Sequence, residues 1–518
     1  MDITDAFEPG HRGRQWGARQ AQLDERLSRH SPTGSPTHSR SSTPGSDHSP
    51  DRRPRPVRLV DLQAGGWSFA ARDTRGGVWV WGEGNGRFMG AQTWENEYYE
   101  VSEASRIPLP CRAEAIAQGR NHLLVLDRDN LVWELLAWGK AYHHTAPALT
   151  APSQTGASAP GRGPHVVQVA AGWTHSAALT SGGEVNVWFP FTREYDDVCT
   201  PESELHGPLG VDEDDLSRAL RWGTVGDVVV TLPPIPARPQ WTEEYSLQHW
   251  DDWEARRTDK ELAASQRVVK IACGHEFLLA LKGSGEVWLI PTTHERIASA
   301  TWQYLPFFSS PSINHITVQY RTIVSYSTPS DASATSAVLV AGVETLDPAS
   351  TSTLRPFDLP ALDGKVVIQV VAGDWHYAAL TAQGELFTWG ANTEGQLGLG
   401  AAAQAGHGVP VQETPTQVQF PKDGERDPFV FAITAAGMHT GALLLGGKKR
   451  AAEPEPIVAG AGWPSSAQAE GVDPGVAGRG RFDHMFRIGL AGARGMRGGG
   501  FLGRGFGGGG PLAPGGPG

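Results

Sequence analysis

At 518 residues, with 39% apolar residues and 18 Trp, the chain is long enough for three ordinary domains and too apolar to be unfolded throughout. Its 64 Gly and 38 Pro argue against helix-rich architectures, and a net charge of −12 carried by the middle of the chain argues against a nucleic-acid groove in the core. Cys111, Cys199 and Cys273 are too few and too scattered for a disulfide framework or a cysteine zinc site; with no apolar run of bilayer length and no leader at the start, an intracellular chain of cytoplasm or nucleus is expected.

In chain order, residues 1–57 are rich in Ser, Pro and Arg with few large apolar side chains, so they are expected to be mostly disordered. A short run inside them, Trp16-Gly17-Ala18-Arg19-Gln20-Ala21-Gln22-Leu23, is expected to serve as a remnant closing strand at 16–23. Residues 58–445 then repeat themselves. The copies read strand, Gly turn, strand, Gly turn, strand: Gly65-Gly66-Trp67 and Gly76-Gly77 in the first, Gly172-Trp173-Thr174-His175 in another, and Gly373-Asp374-Trp375-His376 in the clearest. Weaker copies centre on Gly119 and Gly274, and a shortened one on Gly437. An alternating run, Ile316–Tyr326, stands where a copy is due without its glycine. Counting it gives a seven-bladed β-propeller of degenerate antiparallel sheets, an all-β fold, with residues 189–266 as one large insertion. Residues 446–518 form a Gly/Arg-rich tail, also expected to be disordered.

Residues 389–398, Trp-Gly-Ala-Asn-Thr-Glu-Gly-Gln-Leu-Gly, together with the Gly-x-x-His turns, resemble the regulator-of-chromosome-condensation repeat family. More narrowly, Asp61–Ser68, Trp302–Phe308 and Ala435–Leu443 are similar to the fungal SCF-associated F-box factors. That resemblance implies a substrate-receptor propeller in a ubiquitin-ligase adaptor, joined to the Skp adaptor and cullin only if an F-box exists upstream. None is visible, because residues 1–57 hold only Ile3, Leu23, Leu27 and Val57 as large aliphatics.

The repeated histidines, His122, His175, His376 and His439, read as packing residues and not as metal ligands, since Phe69 and Phe277 fill the same slot. Trp81, Trp188 and Trp389 read as wedges between blades. No P-loop, zinc-protease or nucleophile-elbow motif occurs, so neither catalytic residues nor a cofactor or metal site is expected, and the chain is expected not to be an enzyme. Recognition is expected instead from the insertion, where Trp241, Tyr245, Trp250 and Trp253 cluster near Arg256 and Arg257, residue types that favour interface cores. The expected partner is a protein substrate on one face of a monomeric propeller, with no membrane and no nucleic acid. The alternatives are a guanine-nucleotide-exchange factor for a small GTPase, and an RNA-associated scaffold resting on the tail arginines.

Overall fold

The computed structural model describes residues 57–82, 101–137, 140–150, 164–207, 220–239, 248–329, 336–357, 359–400, 411–421 and 428–446. The expected strand at 16–23 and the Gly/Arg tail lie outside the described residues.

The chain forms successive antiparallel sheets. Blade 1 holds β1 (Leu59–Ala64), β2 (Ser68–Asp73), β3 (Val78–Gly82) and β4 (Val101–Ile107). Blade 2 holds β5 (Ala113–Gln118), β6 (Leu123–Asp127), β7 (Val132–Ala137) and β8 (Lys140–His144), and blade 3 begins with β9 (Val166–Ala171), β10 (Ser176–Thr180) and β11 (Val185–Trp188). The insertion then contributes helix α1 (Arg193–Val198), β12 (Arg221–Val225), β13 (Val230–Thr231), α2 (Gln248–Ala255) and α3 (Asp259–Ser265). Blade 4 follows with β14 (Val268–Cys273), β15 (Phe277–Lys282), β16 (Val287–Pro291) and β17 (Gln303–Tyr304). Blade 5 has β18 (His315–Gln319), β19 (Thr322–Tyr326) and β20 (Val338–Gly342), with α4 (Pro348–Ser352) after it. Blade 6 has β21 (Val367–Ala372), β22 (His376–Thr381), β23 (Leu386–Ala391) and β24 (Val411–Gln417), and the body ends in the hairpin β25 (Phe429–Ala436) and β26 (His439–Leu445).

The first strand of each sheet packs on the first strand of the next: β1 on β5, then β9, β14, β18, β21 and β25, and β25 back on β1. This closes a ring. Second strands lie between neighbouring blades, which is why β6 and β15 are buried at every position and apolar without alternation up to their last residues, Asp127 and Lys282. Between blades 1 and 2 the shared core joins Val78 and Val80 to Ile116, Leu123, Val125 and Trp133. Between the last hairpin and blade 1 it joins Leu443 to Leu62, Ala71, Trp79 and Trp81. Side-chain amides add a backbone-like bridge between inner strands: Gln168 both donates to the Ile271 carbonyl (2.8 Å) and accepts from its N–H (3.0 Å). Gln369 treats Ile433 in the same way.

The expectation of seven blades needs correction. Six sheets of three to five strands are present, and the seventh place in the ring is held by a two-stranded sheet among the described residues. Its inner strand makes the contacts that close the circle, so the repeat signal at Gly437 is real while the blade is not whole. The insertion forms no sheet of its own. Instead β12 adds a fifth strand to blade 2, parallel to β8, and β13 completes blade 3 beside β11.

Turns between second and third strands carry the strictest backbone demand. Gly285 has φ +93°, and a Cβ there meets the Ser310 carbonyl at sub-van-der-Waals range. Gly285→Ala is expected to destabilise the fold by about 2–4 kcal/mol, from left-handed strain plus the clash, with the loss read from urea denaturation.

Candidate functional site

The turns that join first to second strands meet one another at one end of the ring. Backbone N–H groups pass from blade to blade there: Gly66 donates to the Arg120 carbonyl (3.0 Å), Arg120 to Gly172 (3.1 Å), Trp173 to Gly274 (3.1 Å), His275 to Tyr320 (2.8 Å) and Asp374 to Gly437 (2.9 Å). Such close approach explains the glycines. A Cβ at Gly172 comes within 2.5 Å of the Gly274 carbonyl oxygen.

The residues that follow these glycines are thereby gathered around the axis. The Arg120 guanidinium lies 3.7 Å from the centre of the Trp173 ring, and Trp173 stands 4.2 Å from Tyr320 and 5.1 Å from His275, ring centre to ring centre. Tyr320 reaches Trp375 at 6.3 Å. Arg120 of blade 2 also pairs with Asp374 of blade 6 (3.9 Å), across the middle of the ring, while Arg321 pairs with Glu276 (3.5 Å). Burial pushes the Asp374 carboxyl up, opposed by the charge of Arg120 and the Gln319 amide. Trp67, on the same tier, is 38% exposed, and the other members of the cluster are half-buried.

Tyr320 stands where other blades carry glycine. Gln319 pairs with Thr322, so Tyr320 and Arg321 form a two-residue hairpin loop, and Tyr320 takes φ +51°. Positive φ in a bulky aromatic residue is a strained choice that persists where surrounding contacts hold it, here the rings of Trp173, His275 and Trp375.

The repeated histidines each contact the following blade in the ring. His122 bonds Ser176 Oγ (2.8 Å), His175 bonds Thr292 Oγ1 (3.0 Å) and His376 bonds Thr440 Oγ1 (2.8 Å). His439 packs edge-on against Phe69, with ring centres 4.6 Å apart. Burial pushes His175 down to about 3 and His376 and His439 down to about 4, and lowers His122 as well. Among the described residues no group of three or more His, Cys, Asp or Glu side chains is arranged to hold a metal ion.

One grouping has the composition of a nucleophile, base and acid: Ser176, His122 and Glu134. Its wiring serves a different end. The Ser176 hydroxyl donates to Glu134 Oε1 (2.8 Å) and His122 Nε2 donates to Ser176, while Glu134 Oε2 accepts from Trp188 Nε1 (2.8 Å), Tyr195 OH (2.6 Å) and His144 Nε2 (3.2 Å). All six side chains are fully buried. Burial pushes the Glu134 carboxyl up, but the hydrogen bond and charge of His144, aided by His122 and Tyr195, outweigh it and hold the group below the usual range. The carboxylate is a hub joining blade 2, blade 3 and helix α1, closed to any substrate. Its sequence signal was a single acid inside the apolar run Leu131–Leu136.

Of the residues expected to mediate recognition, Trp241 and Tyr245 lie outside the described residues. Trp250 and Trp253 come together on α2 at 6.2 Å, but each is covered: Arg238 stacks on Trp250 (4.2 Å) and pairs with Glu254 (2.8 Å), and Arg257 stacks on Trp253 (3.8 Å). Trp250 is buried and Trp253 half-buried. Arg256 is exposed beside them. No helix among the described residues is long and apolar enough to cross a membrane.

Comparison with known proteins bears on the repeats. Human E3 ubiquitin-protein ligase HERC2 is 24% identical over 368 residues, spanning 66% of this chain and 6% of HERC2. Human probable E3 ubiquitin-protein ligase HERC3 is 40% identical over 96 residues, spanning 18% of this chain and 8% of HERC3. The crystal structure of human WBSCR16 aligns over 78% of this chain and 94% of that one, with 19% identity and a TM-score of 0.44. Residues 166–188 and 367–396 match one profile of the regulator of chromosome condensation (RCC1) repeat and residues 383–443 match a second, so the repeat match falls on β9 to β11, on blade 6 and on the closing hairpin.

Proposed function

We propose that this propeller is a protein-binding module that captures its partner at the axial tier of Trp67, Arg120, Trp173, Tyr320 and Trp375, and acts as the substrate-receiving part of a ubiquitin ligase. The observation that carries it is the convergence of half-exposed Trp, Tyr and Arg side chains from blades 1, 2, 3, 5 and 6 at one end of a rigid ring. These residue types dominate the binding energy of protein interfaces, because large rings release much water at little conformational cost. The ligase assignment draws support from HERC2 and HERC3, which carry that activity in their names; the chain spans 6% and 8% of their lengths, so the assignment reaches beyond what is shared. The chain acts by binding as a monomer, and no catalytic role is assigned to it.

Pull-down with cross-linking mass spectrometry tests this. Trp67→Ala with Trp173→Ala is expected to lower capture of the partner at least tenfold, with cross-links from the wild type mapping to the tier and ligase subunits co-purifying. Undiminished capture at unchanged fold overturns the site. Recovery of a small GTPase whose nucleotide release is accelerated replaces the ligase reading with nucleotide exchange. Trp250→Ala with Trp253→Ala tests the insertion separately, and unchanged capture removes α2 from the interface.

A further inference from the structure

The insertion carries a proline-rich run whose burial repeats every three residues. Residues 232–239, Leu-Pro-Pro-Ile-Pro-Ala-Arg-Pro, follow β13 and join neither a helix nor a sheet. Leu232 is buried and Ile235 and Arg238 are half-buried, whereas Pro233, Pro234, Pro236, Ala237 and Pro239 are all exposed. A polyproline II helix has three residues per turn, so positions three apart share one ridge. The ridge of Leu232, Ile235 and Arg238 therefore faces the protein. The other two, Pro233 with Pro236 and Pro239, and Pro234 with Ala237, face outward.

The inward ridge is fastened at each turn. Leu232 donates its N–H to the Val185 carbonyl (2.9 Å), and Ile235 packs on the core shared by blades 3 and 4. Arg238 lies over the Trp250 ring and pairs with Glu254 of α2. The backbone is held with the same spacing: the Pro233 carbonyl accepts from Trp302 Nε1 (2.8 Å) and the Pro236 carbonyl from Lys282 Nζ (3.1 Å). Lys282 is buried, and it is a longer side chain than Asp73, Asp127, Thr180 and Thr381, which fill the same turn position in other blades.

We propose that residues 233–237 are a preformed docking ligand for a partner domain whose aromatic-lined groove reads the prolines of a polyproline II helix. Such a groove takes two ridges and leaves the third outside, and here the third is the one seated on the propeller. Holding the run in its bound shape spares the ordering cost that a flexible proline-rich segment meets on binding. Because Arg238 is turned inward, the groove reads prolines without a neighbouring cation.

The purified full-length chain, titrated by biolayer interferometry against a set of isolated SH3 and WW domains, tests this. At least one domain is expected to bind saturably and to lose that binding when its groove tryptophan is replaced by alanine. Pro234→Ala with Pro236→Ala, both exposed and both keeping their carbonyls, is expected to weaken it by about tenfold at an unchanged melting temperature. Ala237→Asp leaves every proline in place and sets a charge on an outward ridge; it is expected to weaken binding as much. Absence of binding by every domain in the set, undiminished binding by both variants, or a loss from Arg238→Gln equal to that of the proline pair at unchanged fold each overturns the proposal.

Discussion

Acidification from pH 7.5 to pH 5 is expected to unfold this propeller or bring it to the edge of unfolding. His175 and His376 are fully buried, and burial holds their rings neutral until about pH 3 and about pH 4. In the unfolded chain the same rings take up a proton near pH 6.5. Between those values the unfolded state binds more protons, so stability falls as pH falls. At pH 5 each ring is about 1.5 pH units below its unfolded value, which corresponds to about 2 kcal/mol. His122 and His439 shift in the same direction. The sum approaches the 5–15 kcal/mol that holds an ordinary domain folded. Urea denaturation followed by Trp fluorescence at pH 7.5, 6 and 5 should show the midpoint falling steadily. His376→Phe, the residue type found at Phe69 and Phe277, should flatten the profile. A midpoint unchanged down to pH 5 would show that the rings are not held neutral.

Glu134→Ala is expected to be the most damaging single substitution in the body. It leaves the Ser176 hydroxyl, the Trp188 and His144 ring N–H groups and the Tyr195 hydroxyl without their acceptor, all fully buried. Stranding partners of a buried charge costs about 3–5 kcal/mol, and the Trp188 N–H has no freedom to turn elsewhere. Tyr195→Phe removes a single donor and is expected to cost about 1 kcal/mol, since Oε2 keeps Trp188 and His144. Glu134→Gln should fall between them, because its amide keeps one acceptor oxygen. Thermal denaturation of the three variants gives the ranking. Equal stability of Glu134→Ala and wild type would mean that water reaches the hub.

The sheets and their turns were legible in the sequence because the requirement behind them is local. A glycine in all blades but the fifth, followed by His or Phe and a short apolar strand, marks the places where one backbone must touch the next, as at Gly172 against Gly274. Ile316–Tyr326 was recognisable as a blade by alternation alone, but not that Tyr320 in its turn takes a positive φ, which among the repeat-centre glycines only Gly437 shows. The seventh copy was legible as a shortened one at Gly437, and among the described residues it is a two-stranded sheet. The axial tier escaped notice for a geometric reason. Trp67, Arg120, Trp173 and Tyr320 are far apart in sequence and vary in type, and only closure of the ring makes them neighbours. In the insertion, Trp250 reads as a free aromatic anchor because the covering Arg238 comes from an earlier loop.

The parallel pairing of β12 with β8 sets an order on events during synthesis. β8 emerges before blade 3, yet its outer neighbour at residues 221–225 appears only after β9, β10 and β11 have been made. A growing chain therefore leaves blade 2 with a bare flank while the next blade assembles, and a pause in translation between residues 190 and 220 would expose that flank longest. Slowing elongation there should raise aggregation, whereas the same delay after blade 4 should not.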